Sequence, residues 1–443
     1  MVFEIKTPNK NDIPMITIIL TLPSLFLLAA HAFRVGSPGG TIFWLTASVL
    51  AVVPLPWRSW ALAGLLAFGC WLWGHIAFTL VQQRLAFDLP WLRLAAILGV
   101  VIAGCLVAAL MHIRSACRNF QPGSLVQGLA FLLTIVGLSI AKQKTSLDII
   151  LLDRFFSSGG WIIIILLGWY AAWIAGKMLR AEDSAQWRRR VWGIFSAVFF
   201  LQLFLGLLGF ERFLMTGKLH LPVPALIAAG PLYRGDGFFM LILFAVTLIL
   251  VGPAWCSHLC YIGAWDNWAA TGKKRAGTLP GWTKIVRWLM CLAVLAGAYL
   301  LGRSGQPLAL AIALAAVFGV VGVVVMLVWS RGSGIMSHCT TYCPMGLLAN
   351  LFGKINPWRI RVASGCCKCG VCTRVCRYGA LVAPDIEAGR AGLSCTLCGD
   401  CISGCPHSHL HYQFPGLSHE TARSAFIVVI VALHAIFLGV ARL

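Results

Sequence analysis

Charge is scarce in this sequence, and negative charge scarcest. Charged residues make up 11% of the chain, with 14 Asp and Glu against 35 Lys and Arg. A chain so poor in charge, 59% hydrophobic and with a mean hydropathy of +0.86, has too little polar surface for an ordinary soluble globule. It reads as an integral membrane protein carrying one compact polar module. The net charge of +21 does not mark a nucleic-acid surface. The basic residues stand between apolar runs, where orientation in a bilayer accounts for them.

Cysteine is plentiful, 17 in all, and eight of them fall in two runs. The first is Cys366-x2-Cys369-x2-Cys372-x3-Cys376; the second is Cys395-x2-Cys398-x2-Cys401-x3-Cys405-Pro406. This is the bacterial ferredoxin spacing written twice, the arrangement that holds two 4Fe-4S clusters. Three thiolates at i, i+3 and i+6 on a tight loop reach three irons of one cubane, while the fourth serves the other cluster. The spacing therefore assigns Cys366, Cys369, Cys372 and Cys405 to one cluster, and Cys395, Cys398, Cys401 and Cys376 to the other.

Gly370 and Gly399 follow the second cysteine of each run, where a side chain would crowd backbone wrapped round inorganic sulfide. Zinc knuckles or disulfides are the alternative. Zinc usually divides its four ligands into two pairs separated by a longer loop, which two unbroken runs fit poorly. Cys367 stands beside Cys366 as a competing first ligand, but only Cys366 keeps the spacing. Reduced thiolates place this module on the cytoplasmic side. Cys70, Cys105 and Cys291 lie singly in apolar stretches and read as small core residues.

Runs long enough to cross roughly 30 Å of hydrocarbon predict helices over 14–33, 41–56, 59–80, 94–111, 124–141, 160–177, 191–210, 237–254, 285–302, 308–330 and 422–441. That is about eleven crossings, the second holding Pro54 and Pro56. The expected fold is mainly α: a polytopic membrane helix bundle with a small bacterial-ferredoxin-like α+β domain. Its expected parts are an N-terminal bundle over 1–185, a four-helix core over 186–355, the two-cluster module over 356–415 and a terminal helix over 416–443.

With the N-terminus cytoplasmic, most basic residues fall inside, including Arg114, Arg118, Arg188, Arg189, Arg190, Lys273, Lys274 and Arg275. The positive-inside rule favours that orientation, which leaves the cysteine module cytoplasmic and the C-terminus outside. A signal peptide is the alternative for the first run, since Ala30-His31-Ala32 resembles a cleavage site, but the apolar run is long for one.

A second pattern precedes the cysteine runs. Two helix hairpins return to the cytoplasmic side, and each ends in a related signature: Cys256-x3-Cys260-x2-Gly263 and Cys339-x3-Cys343-Pro344-x-Gly346. An internal repeat of helix pair plus cysteine pair would bring four thiolates together as a third metal centre, and soft S4 sites select iron-sulfur clusters, zinc or cuprous copper. The alternative is two pairs of unmetallated thiols. His258 and His338 stand beside the pairs as ligands, hydrogen-bond donors or plain interfacial residues.

Among the membrane histidines, His75 and His434 lie deepest, and such a pair could hold a b-type haem axially. No two histidines stand at matched depth with convincing flanks, so haem b is not expected.

From about residue 190 to 415 the order is helix pair, CxxxC, helix pair, CxxxCP and two ferredoxin motifs. This resembles the membrane polyferredoxins of the NapH, NosR and MauN type. The resemblance rests on Cys256, Cys260, Cys339, Cys343, Pro344 and the eight run cysteines, and covers about half of the chain. Two positions depart from the pattern: Tyr261 follows Cys260 and Arg377 follows Cys376, where proline is usual.

The resemblance implies a bacterial inner-membrane subunit that exchanges electrons between the quinone pool and a partner oxidoreductase. The label of enzyme then means a redox subunit in a larger complex. Two other classes compete with it. One is an accessory factor for metalloenzyme maturation that handles copper or iron at the CxxxC pairs, and the other is a membrane anchor. Exchangeable copper at those pairs separates the first from a redox-active cluster.

Overall fold

A computed structural model describes residues 15–145, 148–214 and 221–440. It is a helical membrane bundle with very little sheet. Among the described residues ten helices are long and apolar enough to cross a bilayer: Ile16–Arg34, Arg58–Ala86, Leu92–Arg118, Pro122–Lys144, Gly160–Met178, Ala181–Leu207, Phe239–His258, Thr283–Arg303, Leu308–Ser333 and His419–Gly439.

The run expected at 41–56 does not supply an eleventh. Its apolar helix covers only Pro38–Ala51, which at 1.5 Å per residue spans roughly 20 Å and falls short of the hydrocarbon thickness. Pro54 and Pro56, lacking amide hydrogens, prevent the helix from continuing. The N-terminal residues expected on the cytoplasmic side lie outside the described residues.

The chain divides into two compact units, one built from residues up to Gly176 together with Val431–Val440, the other from Lys177–Ile430. The first unit packs large apolar side chains, among them Leu25, Leu28, Leu62, Leu66, Phe131 and Ile164, into a buried core. Where its helices approach closely they do so at small residues: Gly168 faces Phe131 and Ile135, and Gly64 faces Leu132, with no room for a Cβ. Packing of this kind is what holds helices together in lipid, where burial of apolar surface offers no preference for protein over tails. Several of its buried polar groups are paired: Thr21 Oγ1 lies 2.9 Å from His112 Nε2, Tyr170 Oη lies 3.1 Å from His434 Nε2, and Asp153 accepts from Lys142 Nζ and from Gly160 N.

The second unit holds the CxxxC hairpins and the two cysteine runs. Its sheet is a two-stranded antiparallel ladder, β1 (Arg359–Val362) and β2 (Leu410–Gln413), in register Arg359 to Gln413 through Val362 to Leu410. The strands bracket the cysteine runs, so everything between them is closed into one loop-rich module. Ile360, Val362, Leu410 and Tyr412 face inward from the ladder and are buried, as the period of two requires. Tyr412 stacks on Phe426 of the terminal helix at 4.6 Å between ring centres, and Trp358 meets the same ring edge-on.

Candidate metal centres

The two cysteine runs are related by a shift of 29 residues, from Cys366 to Cys395 and from Cys376 to Cys405, and their backbones repeat. Left-handed residues recur at matched places: Lys368 (φ 54°) and Leu397 (φ 56°), Gly370 (φ 71°) and Gly399 (φ 78°), Gly379 (φ 59°) and Ser408 (φ 54°). A left-handed turn beside each second cysteine reverses the peptide direction, so that successive N–H groups face inward and make an anion-binding concavity. Non-glycine residues adopt that conformation only under constraint, and here the constraint is the paired run itself.

The N–H groups find sulfur. Ala380 N donates to Cys376 Sγ at 3.3 Å, Val371 N to the thiol of Cys369, and Asp400 N to that of Cys398, the last two again at matched positions. Such a cradle of amides round soft thiol donors fits an iron-sulfur cluster, which is an anion once its cysteines are bound.

The thiols separate by surroundings. Cys376 lies within electrostatic reach of Cys395, Cys398 and Cys401, so the last cysteine of the first run is turned towards the second run. Burial pushes the Cys395 thiol up to about 12 and raises Cys398 and Cys401 as well; only a bound cation would hold these sulfurs as thiolates. In the first run Cys372 is buried and feels Cys366, whereas Cys369 is exposed. The Cys369 thiol is lowered, chiefly by the Val371 amide, then by the Cys367 side chain, with Arg374 adding to it. Cys405 is half-buried at the end of the second run.

The CxxxC signatures form a second constellation. Cys260 (φ −81°, ψ 114°) is the N-cap of helix Tyr261–Thr271, and Cys343 (φ −75°, ψ 121°) is the N-cap of helix Pro344–Phe352. Each thiol receives the first free amides of its helix, Ile262 and Gly263 in one case and Met345 and Gly346 in the other. The positive end of a helix favours a thiolate there. The matched glycines have a steric reason: a Cβ on Gly263 would stand 2.7 Å from Cys256 O, and one on Gly346 would stand 2.2 Å from Cys339 O. Tyr261 replaces the usual proline without disturbing this cap and stacks on Phe199 at 3.8 Å.

The repeat brings all four thiols within electrostatic reach of one another. Burial raises Cys260 to about 12 and Cys343 to about 11. Beside them lie Asp266, whose Oδ2 accepts from Cys339 N at 2.9 Å and whose burial lifts its carboxyl to about 6, and Arg287, whose guanidinium faces the thiols and donates to Gly346 O at 2.9 Å. A buried cation against four sulfurs offsets the negative charge a metal-thiolate centre carries. Burial lowers His338 to about 4.

Among the described residues no three His, Cys, Asp or Glu side chains stand close enough to share a single metal ion. A cubane holds its thiolates farther apart than one ion does.

The two constellations are joined by hydrogen bonds that sequence reading did not anticipate. Ser257, inside the first CxxxC, donates to the carbonyl of Thr396, inside the second ferredoxin run, at 2.9 Å. Arg188 binds Asp400 through two nitrogens and Ser257 O through the third. Tyr378 is buried between them, its hydroxyl 3.5 Å from Cys256 O and within electrostatic reach of Cys339 and Cys398. Arg377, at the position where proline is usual, donates to the carbonyls of Ala270, Lys274 and Gly334. It fastens the first run to the ends of both hairpins, a task proline could not perform.

A family model described as a 4Fe-4S binding domain matches residues 236–278. The match takes in Cys256, Cys260 and the helix that Cys260 caps, and it supports an iron-sulfur region with at least one cluster. Comparison with curated proteins and with solved structures gives no match.

Proposed function

We propose that the protein is a membrane-bound iron-sulfur electron-transfer subunit that exchanges electrons between the quinone pool and a partner oxidoreductase. In this reading Cys366, Cys369, Cys372 and Cys405 hold one 4Fe-4S cluster, Cys395, Cys398, Cys401 and Cys376 hold a second, and Cys256, Cys260, Cys339 and Cys343 hold a third metal centre at the membrane face. A bound cluster supplies storage for one electron at a time.

The chain's own residues do the rest. Inward amides cradle the sulfurs, burial excludes water from the second site, and Arg287 offsets charge at the third. The observation that carries the reading is the Ser257–Thr396 hydrogen bond, which ties the loop of one cysteine set directly to the loop of the other. Two redox centres so joined are in series, and the series leads from the exposed Cys369 through buried thiols to the membrane.

In this reading the ferredoxin-like module faces the cytoplasm from a bacterial inner membrane; the reducing conditions its thiols need and its basic surroundings support the cytoplasmic side. Anaerobic titration of the purified protein with a reduced quinol analogue, followed by EPR, tests the function. Cluster signals that grow with quinol support it, and clusters that dithionite reduces but quinol at no concentration does would refute exchange with quinone.

A further inference from the structure

The 29-residue repeat allows the two cysteine runs to be compared position by position, and they differ in charge and burial. Where the first has Lys368, Arg374 and Arg377, the second has Leu397, Ser403 and Pro406. Thr396, Leu397, Asp400 and Cys401 are buried, and the charge on Asp400 is taken up by Arg188. Cys367, Lys368, Cys369 and Arg374 are exposed.

Orientation in the bilayer explains basic residues in connections between spans. It does not reach Lys368 and Arg374, which lie well away from the ends of both neighbouring spans, Ser333 and His419, whereas the rule counts residues near those ends. A second element extends the same charge: Lys273, Lys274 and Arg275, all exposed, are held against the first run by Ala276 N donating to Arg374 O at 2.9 Å and by Arg377 Nη2 donating to Lys274 O at 3.2 Å. Between Asp266 and Asp385 the sequence has no acidic residue, and Asp266 itself is fully buried. Arg374 therefore acts on the exposed thiol of Cys369, the basic segment 273–275 is tied to the backbone of Arg374, and neither element carries an exposed acidic side chain.

We propose that this face docks a soluble acidic one-electron carrier protein, one whose own redox centre is ringed by Asp and Glu. The inference rests on the function proposed above and names the solution-side partner. One electron leaves one centre and arrives at the other, with no bond formed or broken and no proton moved. Uncompensated charge of one sign round a redox centre steers an oppositely charged carrier into contact and accelerates association by about 10-fold to 1,000-fold, an effect that salt removes.

The test uses the full chain in nanodiscs of zwitterionic lipid, with a plant-type 2Fe-2S ferredoxin as the acidic probe. Binding is read from the anisotropy of the labelled ferredoxin, electron transfer by stopped flow, and cluster integrity by EPR after dithionite. Expected are affinity and second-order rate that fall together as ionic strength rises, and a Lys274→Glu, Arg275→Glu double variant, both positions exposed and outside the cysteine run, that weakens both by about tenfold or more while its dithionite-reduced spectrum is unchanged. Dithionite-reduced clusters with ferredoxin binding that ignores salt and charge reversal would overturn the docking face alone. So would a reversal that, in a parallel series of nanodiscs containing anionic lipid, lowers the binding of that lipid and leaves ferredoxin binding as it was. Absence of any cluster signal with dithionite would overturn the underlying function.

Discussion

Arg188 grips Asp400 with two nitrogens, Nε to Oδ1 at 3.0 Å and Nη2 to Oδ2 at 2.8 Å, both side chains almost fully buried. Arg188 comes from a membrane helix and Asp400 from the second cysteine run. Two-pronged geometry is what a guanidinium offers and an ammonium does not.

The pair predicts an asymmetry between breaking it and replacing it. Arg188→Met leaves a buried carboxylate with only the more distant Arg189, 3.9 Å away, and is expected to cost roughly 3 kcal/mol. Arg188→Met with Asp400→Leu removes both charges and is expected to cost much less. Thermal unfolding in detergent, followed by tryptophan fluorescence, checks both.

The matched glycines predict a steric penalty at the proposed third centre. Gly346→Ala places a methyl 2.2 Å from Cys339 O, so the cap helix must move. The cost is expected to be roughly 1 to 3 kcal/mol, with a displaced Cys343 thiol. Alanine at Gly99, which meets nothing within 4 Å, is the control. Unfolding temperature and iron per protein, measured together, separate a packing defect from loss of the centre.

Cys376 turns towards the second run, not its own. Cys376→Ala is therefore expected to change the EPR signature of the cluster proposed at Cys395, Cys398 and Cys401, whereas Cys369→Ala changes that of the other proposed cluster. Cluster-resolved EPR of the two variants reads this directly, and an identical change in both would contradict the crossed ligation.

Acid is expected to loosen the ladder that closes the module. His411 sits opposite Arg361 and its ring lies 3.5 Å from that of His419; burial first, then His419, lowers its pKa. A histidine with a lowered folded-state pKa binds its proton more weakly when folded, so its contribution is intact above the unfolded value near 6.5 and is lost as pH falls below it. His411→Gln is expected to flatten the fall in unfolding temperature below about pH 6.5, measured against the unsubstituted chain across the same pH series.

The sequence carried local relations well and distant ones poorly. Cysteine spacing is local, and the left-handed turns at Lys368 and Leu397 are a consequence of fitting sulfurs three residues apart. The glycines after the CxxxC pairs were visible as a repeat, though their reason, a carbonyl of the preceding cysteine, needed the backbone.

Arg188 was read as one of a basic triplet that orients a helix, because a run of arginines looks the same whether or not one of them is buried. Arg377 looked like a departure from a proline and is instead a clamp on three carbonyls. The short helix at Pro38–Ala51 was taken for a crossing because hydropathy alone does not register where a chain turns back.

The central claim is that sulfurs of this module hold iron cubanes. Iron and acid-labile sulfide determined on strictly anaerobic protein test it most directly. At least about eight of each per chain are expected, the content of two cubanes, with more where the CxxxC thiols hold a third cluster. Protein that is folded and anaerobic yet free of labile sulfide would contradict the account.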